Sequence, residues 1–296
     1  MTTLADLVNQ VSLNLHGFSD DQESRTHLTA AIAAGDLTLP VDDASGISAG
    51  LIELDDELMW VTGTDVANKT VTVAPYGRGY GGSVAASHAQ YAQVMSSPRW
   101  PRTAIKGAIN QVINQVYPTL YAVKTTTTTA VSTRAKYDLP VDAEGILALS
   151  WQLTGPSHEW MPLRRWRYDS LANTDDFTTG RAVSIFDNMT PGRAIQVVYF
   201  ARPTTLSANT DTLVGTGLQA SCEDVLVYGA TARLIQQYEA SRLQLSSVTE
   251  TERSQFIQAG SATNASRAMY ALFSQRLAEE RSRLLSLYPT PVHYTH

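Results

Sequence analysis

The sequence predicts an α+β fold, with a helical core of about four helices and two antiparallel β modules inserted between them. Four segments repeat apolar residues at intervals of three and four, which is the spacing of an amphipathic helix. Two other stretches contain short alternating runs separated by Gly, Asp and Asn, which is typical of antiparallel strands. The two kinds of segment alternate along the 296-residue chain. The simplest assembly therefore packs the helices together and lets the β modules project from them.

The N-terminal part of the predicted core comprises residues 1–35 and 96–123. Residues 3–15 begin at Thr3, a residue type that caps helices, and place their apolar side chains on one face. Residues 102–121 carry a longer, continuous apolar stripe. These two segments supply the first two helices of the predicted core.

Residues 36–95 form the first predicted β module, a small barrel-like insertion. Three consecutive acidic residues, Asp55, Asp56 and Glu57, stand between two apolar runs of this module. A metal site needs ligands that converge from several elements of structure. The three acids therefore predict a tight turn between strands and not a metal site.

A glycine-rich stretch at residues 77–82 closes this module. It lacks the Gly-Lys-Ser/Thr sequence of a phosphate-binding loop and the strand–turn–helix context of a dinucleotide site. The glycines are better explained by positive φ angles and close backbone approach. We expect the side chains of Arg78 and His88 to hold this loop in place by hydrogen bonds.

Residues 124–215 form the second predicted β module. Within it, residues 160–168 read as one strand in which arginines alternate with aromatic residues. Such a strand can stack on nucleic acid, or its arginine stems can cover aromatic faces at a protein interface. The acidic balance of the chain favours a protein interface. The candidate interface residues are Trp160, Arg164, Arg165, Trp166 and Arg167.

Residues 216–288 are predicted to supply the C-terminal helices of the core, followed by an extended tail at residues 289–296. The last helix spans about residues 263–287 and carries a narrow apolar stripe of the kind that fits a partner's groove. Tails of this kind commonly become ordered on a partner. The candidate docking residues are Leu284, Leu287, Tyr288, Val292, His293 and Tyr294.

Composition excludes several classes of function. The net charge of −6 gives no general basic footprint for nucleic acid, and the single cysteine, Cys222, can form neither an intrachain disulfide nor a cysteine-based zinc site. The N-terminus does not read as a signal peptide, and no apolar run is long enough for a membrane span. No Ser/His/Asp or Cys/His arrangement can be assembled, so the sequence predicts no catalysis, cofactor or metal.

Residues 51–94 resemble a small β module found in phage neck, tail and baseplate proteins. The likeness rests on an Arg-Gly-x-Gly-Gly-Ser stretch, an Ala-Ala-x-His stretch and a final apolar strand. The residues that carry it are Arg78, Gly79, Gly81, Gly82, Ser83, Ala85, Ala86, His88 and Val94. Where this chain has Ser83, Thr usually stands.

Residues 100–290 are similar to phage head-to-tail adaptor (connector) proteins. The likeness rests on three stretches in order: residues 136–142, then Pro191-Gly192 with the strand up to Pro203, then residues 222–234. It implies a helical adaptor core and a ring of twelve subunits that docks under the portal. We expect the candidate docking residues given above to make that contact.

The resemblance also implies a set of partners. These are further copies of the chain, the portal protein, a stopper, tail-terminator or tail protein, and double-stranded DNA that passes through the lumen without sequence-specific binding. It places the protein in the neck of the virion, after assembly in the host cytoplasm, with no membrane partner. An alternative expectation, favoured by the two β modules, is a receptor- or carbohydrate-binding component of the baseplate or tail.

Overall fold

The fold of the chain is β-rich. The computed structural model describes residues 1–16, 24–131, 135–153, 159–246 and 261–288. Within these ranges it has four α-helices: α1 (Leu4–Leu15), α2 (Arg102–Val116), α3 (Glu223–Ser246) and α4 (Ser261–Leu287). The same ranges contain thirteen strands in three antiparallel sheets: β1 (Ser24–His27), β2 (Thr38–Pro40), β3 (Gly50–Leu54), β4 (Glu57–Asp65), β5 (Thr70–Val73), β6 (Gln93–Ser96), β7 (Ala122–Thr129), β8 (Lys136–Asp138), β9 (Gly145–Gln152), β10 (Trp160–Pro162), β11 (Trp166–Asp169), β12 (Ala182–Ile185) and β13 (Ala194–Ala201).

The predicted helical core with two inserted β modules is therefore wrong. Each β region builds a hydrophobic core of its own and does not project from a core made by the helices. The reason lies in strands that bury side chains at alternate positions and so present one apolar face. In β13, for example, every second residue from Ile195 to Ala201 is buried. The apolar stripes of the helices gave no sign of these separate cores.

Strands β1 to β6 form one sheet in the order β1-β6-β3-β4-β5-β2. Its two outer strands continue into an antiparallel bridge between Leu28 and Val41. Next to the bridge, the Thr29 N–H donates to the Pro40 carbonyl at 2.9 Å and the Asp42 N–H donates to the His27 carbonyl at 3.0 Å. The sheet thus curls into a small barrel.

The first and last residues of this barrel are neighbours. Ser24 at the start of β1 is the cross-strand partner of Ser96 at the end of β6. The barrel interior is filled by apolar side chains from every strand except β1, which adds Leu28 just beyond its end. The buried members are Leu28, Ile32, Leu39, Val41, Ala44, Ile47, Ile52, Leu54, Met59, Val61, Val71, Val73 and Val94.

The other seven strands form two sheets that share one core. The four-stranded sheet has the order β10-β9-β13-β7, and the three-stranded sheet has the order β11-β12-β8. One cluster of buried side chains contains residues of both, such as Ile195 and Val197 of β13 with Trp166 of β11 and Val183 of β12. The two sheets therefore pack their apolar faces against each other.

The chain divides into two compact units. The first comprises Met1–Leu4, Gln111–Leu226 and Ala271–His296, and the second comprises Ala5–Asn110 and Val227–Tyr270. The two packed sheets belong to the first unit and the barrel to the second. Among the helices described, none combines the length and the apolarity needed to span a membrane.

Candidate interaction surfaces

The three consecutive acids lie at the β3–β4 turn of the barrel, where Asp55 and Glu57 bond to the two ring nitrogens of His88 and Asp56 bonds to α2. Asp55 occupies the turn with a φ of 54°. Its Oδ2 lies 2.8 Å from His88 Nδ1, while Asp56 lies 3.1 Å from Arg102 Nε and 2.9 Å from Lys106 Nζ. His88 lies between Asp55 and Glu57, and Asp56 faces the basic side chains of α2, so the three carboxylates do not converge on one ion. The predicted turn is confirmed.

Glu57 lies at the centre of a buried polar network. Its side chain is 1 % exposed, and Arg78 donates to it through Nε at 2.7 Å and Nη2 at 3.0 Å. The backbone N–H groups of Gly79 and Ala86 each donate to the same carboxylate at 3.0 Å. His88 Nε2 lies 2.8 Å from Glu57 Oε2. The segment from residue 78 to residue 88 is thus bound to one carboxylate through Arg78, Gly79, Ala86 and His88.

Arg78 also donates hydrogen bonds to backbone carbonyls that lie outside the strands. Its Nη1 donates to the carbonyls of Ala33 and Asp36 at 2.9 and 2.7 Å, and its Nη2 donates to that of Ala86 at 2.6 Å. The prediction that Arg78 and His88 hold the loop by hydrogen bonds is confirmed. Sequence reasoning missed that their shared acceptor is Glu57, which looked like one more turn acid.

The network keeps Glu57 ionised. Burial raises the pKa of this carboxyl, but the hydrogen bonds from Arg78, His88, Ala86 and Gly79 outweigh burial and bring the pKa to about 2. A carboxylate held in this way can neither accept a proton at neutral pH nor offer a free lone pair to a ligand. The arrangement therefore stabilises the barrel. Among the described residues, no group of His, Cys, Asp and Glu side chains is placed to hold a metal ion.

The barrel is fixed to α2 through the same turn. Glu53 Oε1 accepts the backbone N–H of Arg102 at 2.6 Å, which satisfies a donor in the first turn of α2. Asp56 then binds the side chains of Arg102 and Lys106, one turn apart on that helix. These contacts lie within the second unit and give its β and α parts a defined junction.

The segment of residues 160–168, predicted as one interface strand, forms two short strands that belong to different sheets. Trp160 to Pro162 pair with β9 in the four-stranded sheet, and Trp166 to Asp169 pair with β12 in the three-stranded sheet. Between them the backbone N–H groups of Arg164 and Arg165 both donate to Asp187 Oδ2, at 2.8 and 3.0 Å. The segment crosses from one sheet to the other at this point.

This crossing separates the candidate residues by exposure. Trp166 is 4 % exposed and belongs to the shared core, whereas Trp160 is 41 % and Met161 is 50 % exposed. Arg164, Arg165 and Arg167 are exposed. Among the candidate residues, Trp160 and the three arginines can meet a partner, and Trp166 serves the fold.

The C-terminal half of α4 buries one face and leaves the other open. Phe273 and Leu284 are 3 % and 6 % exposed, whereas Leu285 and Leu287 are 42 % and 57 % exposed. Tyr288 is half-buried at the end of the helix, and its N–H donates to the Leu284 carbonyl. Of the candidate docking residues, Leu287 presents the largest apolar surface, while Leu284 packs within the first unit. Val292, His293 and Tyr294 lie outside the described residues.

A buried carboxylate joins α4 to the start of α3. Glu280 is 4 % exposed, and it accepts a hydrogen bond of 2.6 Å from the Ser221 hydroxyl. Arg283 Nη1 lies 3.4 Å and Arg276 Nη2 lies 3.7 Å from its other oxygen. Arg276 also reaches Asp224, at 3.2 Å. All of these residues belong to the first unit.

Cys222 immediately precedes α3, next to Ser221 of this cluster, and is 4 % exposed. Burial, with a smaller effect from the charge of Glu280, raises the pKa of its thiol to about 11. The thiol is therefore protonated at neutral pH and is a poor nucleophile.

The chain was compared with known protein families and with curated protein sequences. No curated protein sequence shows a significant match to the chain. The family model described as SU10 adaptor protein matches residues 80–293, well over half of the chain. The match covers the end of the barrel, both packed sheets and helices α2 to α4. The chain belongs to the SU10 adaptor protein family and is a phage adaptor-type structural protein, a component of the virion.

Proposed function

We propose that this protein is the head-to-tail adaptor of a phage neck. Copies of it form a ring, twelve in number by the resemblance given above, that joins the portal to the tail and lines the channel through which DNA leaves. The observation that carries the proposal is the family match over residues 80–293. The low share of charged residues, 17 %, also suits a chain that buries much of its surface against neighbours.

The portal-facing end in this proposal is the C-terminal end of α4. Leu287 is exposed and Tyr288 half-buried there, and both precede the tail that holds Val292, His293 and Tyr294. An apolar helix end followed by a short aromatic tail fits a groove on a preformed partner. The opposite side of the ring meets a stopper, tail-terminator or tail protein, and DNA crosses the lumen without being read.

Truncation after Leu287 tests the docking end. We expect the shortened chain to remain folded, because Phe273 and Leu284 still bury their side chains, and to lose assembly on purified portal. Negative-stain images of portal mixed with the full or the truncated chain give the readout. Unchanged assembly of the truncated chain would remove the docking role from residues 288–296. Absence of any ring from the full-length chain, with or without portal, would overturn the proposed function.

A second candidate function, glycan or receptor binding, is favoured by aromatic side chains on the barrel surface. Trp60 and Tyr80 have ring centroids 5.3 Å apart, and Trp60 is 42 % and Tyr80 44 % exposed. Tyr76 is 96 % exposed. Glycan-array binding by a chain that forms no ring on portal would favour this function over the adaptor.

We also propose that the protein works without catalysis or cofactor. The ion-paired carboxylate of Glu57 and the protonated thiol of Cys222 support this, because the first is not prepared to act as a base or the second as a nucleophile. Elemental analysis of the purified protein is the direct test, and a metal bound in stoichiometric amount would contradict the proposal.

A further inference from the structure

The four-stranded sheet has two open edges, which differ from the edges of the barrel. In the barrel the outer strands bond to each other through Leu28 and Val41. In the four-stranded sheet the outer strands are β7 and β10, and each pairs with one described neighbour alone, β13 and β9 respectively. An open edge presents a row of unpaired backbone donors and acceptors to a partner.

The outward groups of β7 follow from its register. Ala130 N–H donates to the Arg193 carbonyl at 2.8 Å. Since antiparallel bonding alternates along a strand, Thr126 and Thr128 bond towards β13. Thr125, Thr127 and Thr129 therefore direct their N–H and carbonyl groups away from the sheet. Within the described ranges no backbone or side-chain group bonds to these outward groups.

Nothing in this part of β7 protects the edge. Natural edge strands carry charges, prolines or bulges that prevent pairing with another chain. Residues 125–129 are five threonines with a regular register to β13 and no charge. The side chains of Thr125, Thr127 and Thr129 are exposed. A strand of β-branched residues with free backbone groups is well suited to accept a further strand.

The edge at β10 offers the complementary groups. Met161 lies opposite Trp151 of β9. On either side, the Leu153 N–H donates to the Glu159 carbonyl and the Leu163 N–H donates to the Leu149 carbonyl. The backbone groups of residues 159, 161 and 163 therefore point towards β9. Trp160 and Pro162 therefore point outward, with one N–H and two carbonyls. All three residues of β10 are exposed, so Trp160 covers one face of an added strand and Met161 the other.

The number of strands decides how two such edges can meet. Directions alternate across β10, β9, β13 and β7, so β7 runs opposite to β10. When a second copy is related to the first by a rotation that leaves the directions of its strands unchanged, β10 of the second copy lies antiparallel to β7 of the first. Four strands thus keep the alternation across the junction, whereas an odd number would create a parallel junction. Head-to-tail contacts of this kind form a ring when the rotation between neighbouring copies closes on itself.

We propose that β7 of one copy pairs with β10 of the next, so that the four-stranded sheets of neighbouring subunits form one continuous sheet around the ring. This inference rests on the proposed ring-forming function and names the surface that forms the ring. The bond pattern puts Thr125, Thr127 or Thr129 of one copy opposite Trp160 of its neighbour, and the side chains of Trp160 and Met161 become buried in the junction.

Thr127→Pro tests the pairing with little effect on the subunit. Proline at this position removes the outward N–H alone, because the β13 ladder does not use it. Thr127→Val keeps the N–H and the β-branched shape and is the matched control. In sedimentation velocity with and without portal, we expect the control to form rings and the proline variant to remain monomeric. Equal melting temperatures for the two variants, measured by circular dichroism, establish that both are folded.

Cysteine pairing gives a second readout that does not depend on a loss of assembly. A chain with Trp160→Cys and Thr127→Cys has two accessible thiols, since Cys222 is buried. Chains with the first change and cysteine at Thr125 or Thr129 cover the neighbouring registers. For one of the three we expect a ladder of cross-linked subunits on a non-reducing gel, and monomer alone from each single-cysteine chain.

The outcomes separate this inference from the function on which it rests. Rings that persist in Thr127→Pro, with no ladder from any cysteine pair, overturn the β7–β10 pairing and leave the adaptor function standing. Absence of rings from the unmodified chain on portal overturns the proposed function itself. Ladders together with rings support both.

Discussion

Arg78 donates two parallel hydrogen bonds to the Glu57 carboxylate, from Nε at 2.7 Å and from Nη2 at 3.0 Å. Both side chains are almost wholly buried. The pair holds the glycine-rich loop against the β3–β4 turn of the barrel. Because burial of an ion pair is favourable only when both partners stay in place, the barrel should be sensitive to the loss of either one.

We expect Arg78→Ala to destabilise the protein by about 3 kcal/mol or more, the usual cost of leaving a buried charge without its partner. Arg78→Lys keeps the charge but loses the two-point contact, so its effect should be intermediate. Chemical denaturation of the full chain measures both. A change below about 1 kcal/mol for the alanine variant would show that the network is replaceable by water.

Acid should weaken the barrel through Glu57. Its pKa in the folded protein is about 2, below the ordinary value of 4.5, so its stabilising effect is fully present above pH 4.5 and is lost as pH falls towards 2. The expected loss is about 3 kcal/mol. Glu57→Gln should flatten this part of the stability–pH curve, and parallel curves for the two proteins would contradict the assignment.

Two leucines of α4 provide a matched comparison. Leu284 is 6 % exposed, and Leu284→Ala should cost about 2–4 kcal/mol of unfolding free energy. Leu287 is 57 % exposed, and Leu287→Ala should change stability by less than about 0.5 kcal/mol but weaken binding to portal. Denaturation and a portal pull-down measure the two effects. Unchanged portal binding by Leu287→Ala would argue against docking at this end.

Two tryptophans provide a second comparison. Trp166→Ala removes a side chain from the core shared by the two sheets and should cost about 3–5 kcal/mol. Trp160→Ala should leave stability almost unchanged and shift the protein from ring to monomer in sedimentation. If Trp160→Ala assembles normally, the segment at β10 has no part in subunit contacts.

Local periodicity predicted the elements better than it predicted their assembly. Helices α1 and α4 begin and end within two residues of the predicted segments 3–15 and 263–287. Strand β1 escaped notice, because Ser24 to His27 contain no apolar residue and owe their strand conformation to pairing with β6. Likewise the split of residues 160–168 depends on Asp187, which is distant in sequence.

The error in fold class has a physical source. A helical stripe shows that a helix buries one face but does not show which element covers that face. Most strands of the second β region also bury one face, and their common core forms where Trp166 of β11 packs with residues of β13 that are distant in sequence. In the same way, Glu57 resembled its neighbours Asp55 and Asp56 in sequence, and only burial distinguishes it.

The pairing of Ser24 with Ser96 has a consequence for how such genes change. Cross-strand partners lie about 5 Å apart, so the whole barrel is inserted across a gap that one or two residues can bridge. A recombination event between phage genomes that removes or exchanges the codons for residues 24–96 would leave the rest of the chain with its spacing intact. The family match begins only at residue 80, after five of the six barrel strands. We therefore expect the segment of residues 24–96 to differ more between members of the family than the rest of the chain does.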